Sequence, residues 1–324
     1  MPARIVLHAD DFGLNAAVTG GILRGFAHGL LTSTSLLAGA PYAAHAIAAW
    51  KRLTSVHLAG ELPSAVTRHG LGDAGMPFDL GVHLNLTQGR PLTGSKYPAQ
   101  LLDSHGRFPG ILRLFARLQR RRNAFVFAKV QAEMAAQIAF VVDHGLRPTH
   151  LNGHQYVELL PQIGNLLPEL LAHFGIPTMR MAAEPALVHT TLWHEFRLPS
   201  WLLAVVKQHY ARRLQASDVA RTALAPSVYF GTAHAGRINL GVMELFLARV
   251  GQHGTVEIGM HPGLEDDSTA ARDNEDGWRD PLANIRPREL AMLESPELAS
   301  RLRTTEMTLG RLTQLAVVSR ARAA

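Results

Sequence analysis

Cysteine is absent from the chain, which excludes disulfides and thiolate metal sites together. That absence does not by itself name a compartment. Long apolar runs are also missing: no stretch approaches the ~18 uninterrupted apolar residues of a membrane span, so no transmembrane segment is expected. The opening residues MPARIVLHAD lack the basic start, long apolar middle and small-residue cleavage site of a signal peptide, and a cytoplasmic location is expected. No internal repeat or low-complexity tract stands out. Aromatic residues are only 6% of the chain, and none interleave with a basic patch as single-strand binders require. The net charge of +6 therefore does not argue for nucleic acid. The basic residues are nearly all Arg and are scattered, except for Arg117, Arg120, Arg121 and Arg122. Such a run is a solvated helix face or an attraction for an anionic substrate or membrane surface.

With 47% hydrophobic residues over 324 positions, the chain can bury one large core. The expectation is a single catalytic domain over residues 1–324, a length that α/β barrels reach as one unit. Residues 4–9 read as a buried strand ending at Asp10-Asp11. Asn15 caps a helix to about His28, a β-rich stretch covers 31–38, and a second helix begins at Pro41. Further strands are expected at 80–86, 147–152, 177–181, 227–230 and 254–259. Further helices are expected at Asn123–His144, Pro161–Phe174 and about 240–250, with more in the C-terminal third. Residues 54–79 and 185–225 read as insertions, and 88–110 as a turn-rich active-site loop. Six or seven strand–helix units imply an α/β fold, a (β/α) barrel that is incomplete or distorted.

The polar residues that stand out fall at strand ends: Asp10 and Asp11, His83, His150 and His154, and His261. In parallel α/β barrels these ends converge on the face that carries the active site. One strand-end His is usually structural; six such residues on one rim are not easily coincidental. Two adjacent carboxylates point to different sides of a strand, so one can bind a metal while its neighbour remains a free base. Two imidazoles and one carboxylate make a triad with open positions for water and substrate. Taken alone, Asp10-Asp11 reads equally well as a helix-capping pair.

The segments HADDFGLNAAVTGGI, GLLTSTSLLA, GVHLNLTQGRPL, PTHLNGHQYVELLPQI and IGMHPG occur in that order. Together they resemble the YdjC-like family of carbohydrate deacetylases, which includes chitooligosaccharide deacetylases and a hopanoid-pathway branch. The likeness runs from about residue 4 to residue 263, with 54–79 and 185–225 poorly anchored. The resemblance implies that Asp11, His83 and His154 bind one divalent ion, zinc or magnesium. The two His ligands favour a transition ion. It implies Asp10 as the general base that activates water and His261 as the acid that protonates the leaving amine. It implies a carbohydrate substrate, whether free, nucleotide-linked or lipid-linked. The oligomeric state stays open.

The chain departs from that family at 154–158. His154-Gln155-Tyr156-Val157-Glu158 stands where the family often has HQHVH, so a phenol and a carboxylate replace two imidazoles. Neither replaced position is one of the implied ligands. His150 is a candidate to orient a ligand or touch substrate, or else a packed strand residue. Arg180 is a candidate to bind a sugar oxygen or orient Asp10, or else a surface Arg. Asn85, Asn152 and Tyr156 are candidates for the pocket. His8 reads as a core histidine, and Glu158 as a helix-start carboxylate.

The expected reaction is hydrolysis of an acetamide on an N-acetylated sugar, giving acetate and an amino sugar. The alternatives are metal-dependent hydrolysis of another amide or ester, and sugar binding without catalysis. Residues 111–122 and 201–214 each set apolar residues beside clustered Arg. That pattern suits helices at a membrane interface or amphipathic helices packed on the barrel.

Overall fold

Short β-rich runs alternating with capped helices build one parallel sheet in the computed structural model, which describes residues 3–28, 30–58, 78–120, 123–185, 198–250, 254–265, 275–304 and 307–315. The first strand, β1 (Arg4–Phe12), is buried from Ile5 onward. The Asn15 side chain accepts from the Val18 amide at 2.8 Å and starts α1 (Ala16–Ala27), satisfying an amide that the helix itself cannot. Next come β2 (Ser33–Leu36), α2 (Ala43–Leu58) and β3 (Asp79–Leu84). Most of the expected 54–79 insertion lies outside the described residues.

After a turn-rich stretch come α3 (Ile111–Arg120) and α4 (Ala124–Asp143), the latter capped by Asn123. β4 (His150–Gly153) leads to a 3-10 turn at His154–Leu159. The helix expected at 161–174 is two pieces, α5 (Pro161–Gly164) and α6 (Leu167–Phe174), broken ahead of Pro168. A proline inside a helix removes a hydrogen bond and clashes with the preceding turn. β5 (Thr178–Met179) follows. The expected 185–225 insertion supplies α7 (Leu198–Gln215) and α8 (Asp218–Thr222), with 186–197 outside the described residues. The chain continues through β6 (Val228–Phe230), α9 (Leu240–Val250), β7 (Thr255–Met260), α10 (Arg286–Leu293), α11 (Pro296–Thr304) and β8 (Thr308–Leu309).

The sheet runs β5-β4-β3-β2-β1-β7-β6, with β8 added beside β1, and each of these strand pairs is parallel. That order is a curled sheet, compatible with a distorted barrel whose seam lies between β5 and β6. Sparse links cross the seam: Thr178 bridges Leu224, and the Tyr229 amide reaches the Ala183 carbonyl at 3.4 Å. Phe26, Trp50 and Phe78 pack edge-on and tilted at 4.7–6.2 Å between centroids on the helical side of β1–β3.

Among the described residues α4 alone is long and apolar enough to cross a membrane. Here it buries Val130, Met134 and Ile138 in the core. Its two buried polar side chains anchor the loop after β3. Glu133 accepts from the amides of Leu92 and Thr93, and Gln137 exchanges two hydrogen bonds with the Asn85 backbone. This loop borders the site.

Candidate active site

The strand ends bring the two aspartates together by a local irregularity. In a regular strand neighbouring side chains face opposite ways. Between Ala9 and Phe12 the β1–β2 register slips, and Asp11 adopts φ +69°, a left-handed conformation rare outside glycine. Both carboxylates consequently line one cavity. Backbone strain of this kind gathers at functional sites.

The two carboxylates keep separate company. Asp11 Oδ1 lies 2.9 Å from His154 Nδ1 and 3.4 Å from His83 Nε2. Asp11 Oδ2 accepts from Arg286 Nη2 at 2.7 Å. Asp10 Oδ2 accepts from Arg180 Nη1 at 2.7 Å, and Asp10 Oδ1 accepts from Asn152 Nδ2 at 2.9 Å. His8 Nε2 stands 3.1 Å from Asp10 Oδ1. Burial opposes ionisation of both acids most strongly. For Asp10 the Arg180 guanidinium and His83 outweigh it, and for Asp11 Arg286 and His154 do. Both carboxyls are held well below the usual range.

One ligand atom from each of Asp11, His83 and His154 lies within 4.8 Å of the others, and all three residues are buried. The donor set of one carboxylate and two imidazoles suits zinc and other transition ions. A second observation supports the fit. His83 Nδ1 is 2.8 Å from Asn152 Oδ1; an amide oxygen can only accept, so Nδ1 carries a proton, which leaves Nε2, 3.4 Å from Asp11 Oδ1, as the ring atom a cation would take. Outer partners of this kind fix the tautomer of metal-binding histidines. His154 Nε2 contacts Gln88 Nε2 at 3.2 Å. These residues fit a divalent ion.

His261, following β7, lines the same cavity, with Nε2 3.8 Å from Asp10 Oδ2. Its amide donates to Glu289 Oε2 at 2.5 Å, and among the described residues its Nδ1 has no hydrogen-bond partner. Burial, only partly countered by Asp10 and Asp11, lowers its pKa to about 4. The resting imidazole is therefore neutral.

Arg180 is fully buried rather than on the surface. It spans Asp10 and Glu257, with Nε 2.8 Å from Glu257 Oε1, and its guanidinium lies over the Tyr229 ring. Asn152 holds Asp10 and His83 at once. Asn85 lies outside the cavity lining, where its side chain ties the turn through Thr87 and Gln88. His150 also lies outside it, packed edge-on against His8 and so tightly against β3 that a Cβ at Gly81 would collide with its ring. His8 is a buried histidine held by Ser33 and Ser35, yet it also touches Asp10.

Tyr156 lines the cavity from a strained turn in which Gln155 and Tyr156 have φ of +54° and +61°. Its ring lies 4.1 Å beneath the Lys207 ammonium. Glu158 is buried in the 3-10 turn. Among the described residues no other residue hydrogen-bonds its carboxyl, and burial lifts its pKa to about 7.

Sequence reasoning missed Arg286, Glu257, Glu289 and Gln88. A carboxylate inside the apolar strand TVEIGM is a legible signal for Glu257. Arg286 carries none, because its partner Asp11 is 275 positions away.

The cavity measures about 520 Å³, enough for a sugar-sized ligand. Its inner wall is polar, formed by the groups above. Its outer wall is apolar, with Phe115, Leu203, Val206 and Tyr210 among its members.

Fold and site together define a class: α/β proteins with a curled parallel sheet and a carboxylate–imidazole group able to hold a divalent ion at its strand ends. The chain belongs to the YdjC-like protein family, whose model matches residues 4–304. A carbohydrate deacetylase of Vibrio cholerae serotype O1 is 30% identical over 185 residues, 56% of this chain and 62% of that protein. One from Geobacillus stearothermophilus is 31% identical over 180 residues, 55% of this chain and 59% of that protein. One from Danio rerio is 29% identical over 237 residues, 72% of this chain and 66% of that protein. The chain thus spans about three-fifths of the length of the two bacterial relatives. A crystal structure from Enterococcus faecalis V583, described as a cellobiose-phosphate cleavage protein, superposes with a TM-score of 0.71 at 20% identity. It covers 97% of this chain and 99% of that one, and this likeness is one of fold.

Proposed function

We propose that this protein is a carbohydrate deacetylase, hydrolysing the acetamide of an N-acetylated sugar to acetate and an amino sugar. The observation that carries the reading is the division of labour within the acidic pair: Asp11 faces two imidazoles, while Asp10 faces Arg180, Asn152 and His261. The carbohydrate deacetylases among its relatives support the substrate class.

Asp11, His83 and His154 would hold the ion. A divalent ion there supplies Lewis acidity, polarising the acetamide carbonyl and making water more acidic. The two-imidazole donor set favours zinc over magnesium.

Asp10 accepts the proton from the attacking water as its oxygen bonds to the carbonyl carbon. Arg180 and Asn152 keep that carboxylate ionised and aimed. Asp10 is a weak proton holder and His261 starts neutral, so the proton moves on across the 3.8 Å gap to His261 Nε2. His261 then delivers it to the nitrogen as the C–N bond breaks. Positioned proton transfer of this kind contributes about 10²–10⁴-fold.

The apolar outer wall favours a sugar joined to an apolar group, including a lipid-linked one, over a free monosaccharide. The test is acetate release from free, nucleotide-linked and lipid-linked N-acetyl sugars, before and after chelation. Chelator-sensitive acetate production with a matching amount of free amine supports the reading. Metal-independent cleavage, or release of an acid from esters alone, rejects it.

A further inference from the structure

Two helices flank the mouth of the catalytic cavity, α3 through Leu112 and Phe115, and α7 through Leu203, Val206, Lys207 and Tyr210. Of the nine large apolar side chains exposed among the described residues, five stand on these two helices: Leu112, Leu202, Leu203, Val205 and Val206. Leu112 is 79% exposed and Leu202 is 59% exposed. The core side of α7 is occupied by Ala204, Ala211 and Leu214. Residues 201–206 are thus apolar all round, although among the described residues only one side of this stretch packs on the core. A helix of that kind is normally covered by core or by lipid. An apolar cluster at the edge of a cavity marks a contact surface.

Charge decides what covers it. α3 carries Arg113, Arg117 and Arg120, and α7 carries Arg212 and Arg213 beside Lys207, which turns into the cavity over Tyr156, with no Asp or Glu on either helix. A second copy of the chain docking the same face against itself would set these like charges opposite one another. An anionic bilayer surface supplies what both features lack, with acyl chains for the leucines and valines and headgroup charge for the arginines.

We propose that α3 and α7 dock this protein on the surface of membranes containing anionic phospholipid, so that the catalytic cavity opens onto the headgroup layer. The docking stands on the exposed faces and does not depend on which bond the site cleaves.

The test is cosedimentation with vesicles of phosphatidylcholine alone and of phosphatidylcholine mixed with phosphatidylglycerol, at low ionic strength and at ~0.15 M salt, where exposed charges are screened beyond ~8 Å. Two variants accompany the wild type, Leu202→Glu with Val205→Glu, and Arg212→Gln with Arg213→Gln. None of these four side chains lines the cavity. The expected result is binding to the anionic vesicles that weakens with salt and falls at least tenfold in each variant. Circular dichroism checks each fold, and if the glutamate pair misfolds the arginine pair decides. No wild-type binding to anionic vesicles at low salt overturns the proposal. So does binding that both folded variants retain, and so does a wild-type dimer that the glutamate pair dissociates.

Discussion

Arg180 meets Asp10 at 2.7 Å across 170 positions of sequence, and the same guanidinium grips Glu257. Asp11 has its own guanidinium, Arg286, at the same distance, so the neighbouring aspartates are held by different partners. Asp11 is the carboxylate that faces His83 Nε2 at 3.4 Å and His154 Nδ1 at 2.9 Å, while Asp10 reaches only the far nitrogen of His83, Nδ1, at 3.9 Å.

Arg180→Met leaves two carboxylates buried without their cation. Removing one partner of a buried pair costs about 3–5 kcal/mol. The expected outcome is a clearly lower urea midpoint together with a loss of turnover of about 10²-fold or more. A midpoint unchanged from wild type would show that the pair is energetically idle.

Asn152→Leu removes the amide oxygen that holds His83 Nδ1–H and the amide nitrogen that holds Asp10. Losing such an outer partner lowers metal affinity about 10–100-fold. Competition titration against a chromophoric chelator measures this. Unaltered affinity would mean that His83 keeps its tautomer without Asn152.

Glu158 carries a stability signature that depends on pH. Its carboxyl is lifted by burial from 4.5 to about 7 in the folded chain. Below the unfolded value both states are protonated and nothing is lost. As pH rises from about 4.5 to 7 the unfolded chain ionises first, so stability falls, and the loss levels off above. Glu158→Gln should therefore match wild type near pH 4. Above pH 7 it should be more stable by at most about 3 kcal/mol, since each tenfold change in proton affinity is worth ~1.4 kcal/mol. Denaturation midpoints across that range test it, and a gain at pH 4 equal to that at pH 8 contradicts it.

Much of this architecture is legible because it is local. Asn15 announces a helix start by a chemistry that needs only the next three residues and caps as expected, and Asn123 caps the helix expected to begin there. The strand-end positions of Asp10, Asp11, His83, His154 and His261 follow from short apolar runs that stop at polar residues. What stays hidden is long-range or irregular. β8 is two residues long and pairs with β1 from the far end of the chain. The left-handed turn at Asp11 has no glycine to betray it. Arg286 and Gln88 reach the site from loops and helices whose placement only the tertiary fold determines. Asn85 reads as a pocket residue because its motif sits beside His83, but its side chain is consumed by its own turn.

The central claim is that the adjacent aspartates divide base and ligand between them, and acetate release by Asp10→Asn at verified metal content tests it most directly. The variant should retain about one equivalent of divalent ion, with turnover on an N-acetylated sugar reduced about 10²–10⁴-fold. A variant that loses the ion, or that keeps the ion and wild-type turnover, contradicts the account.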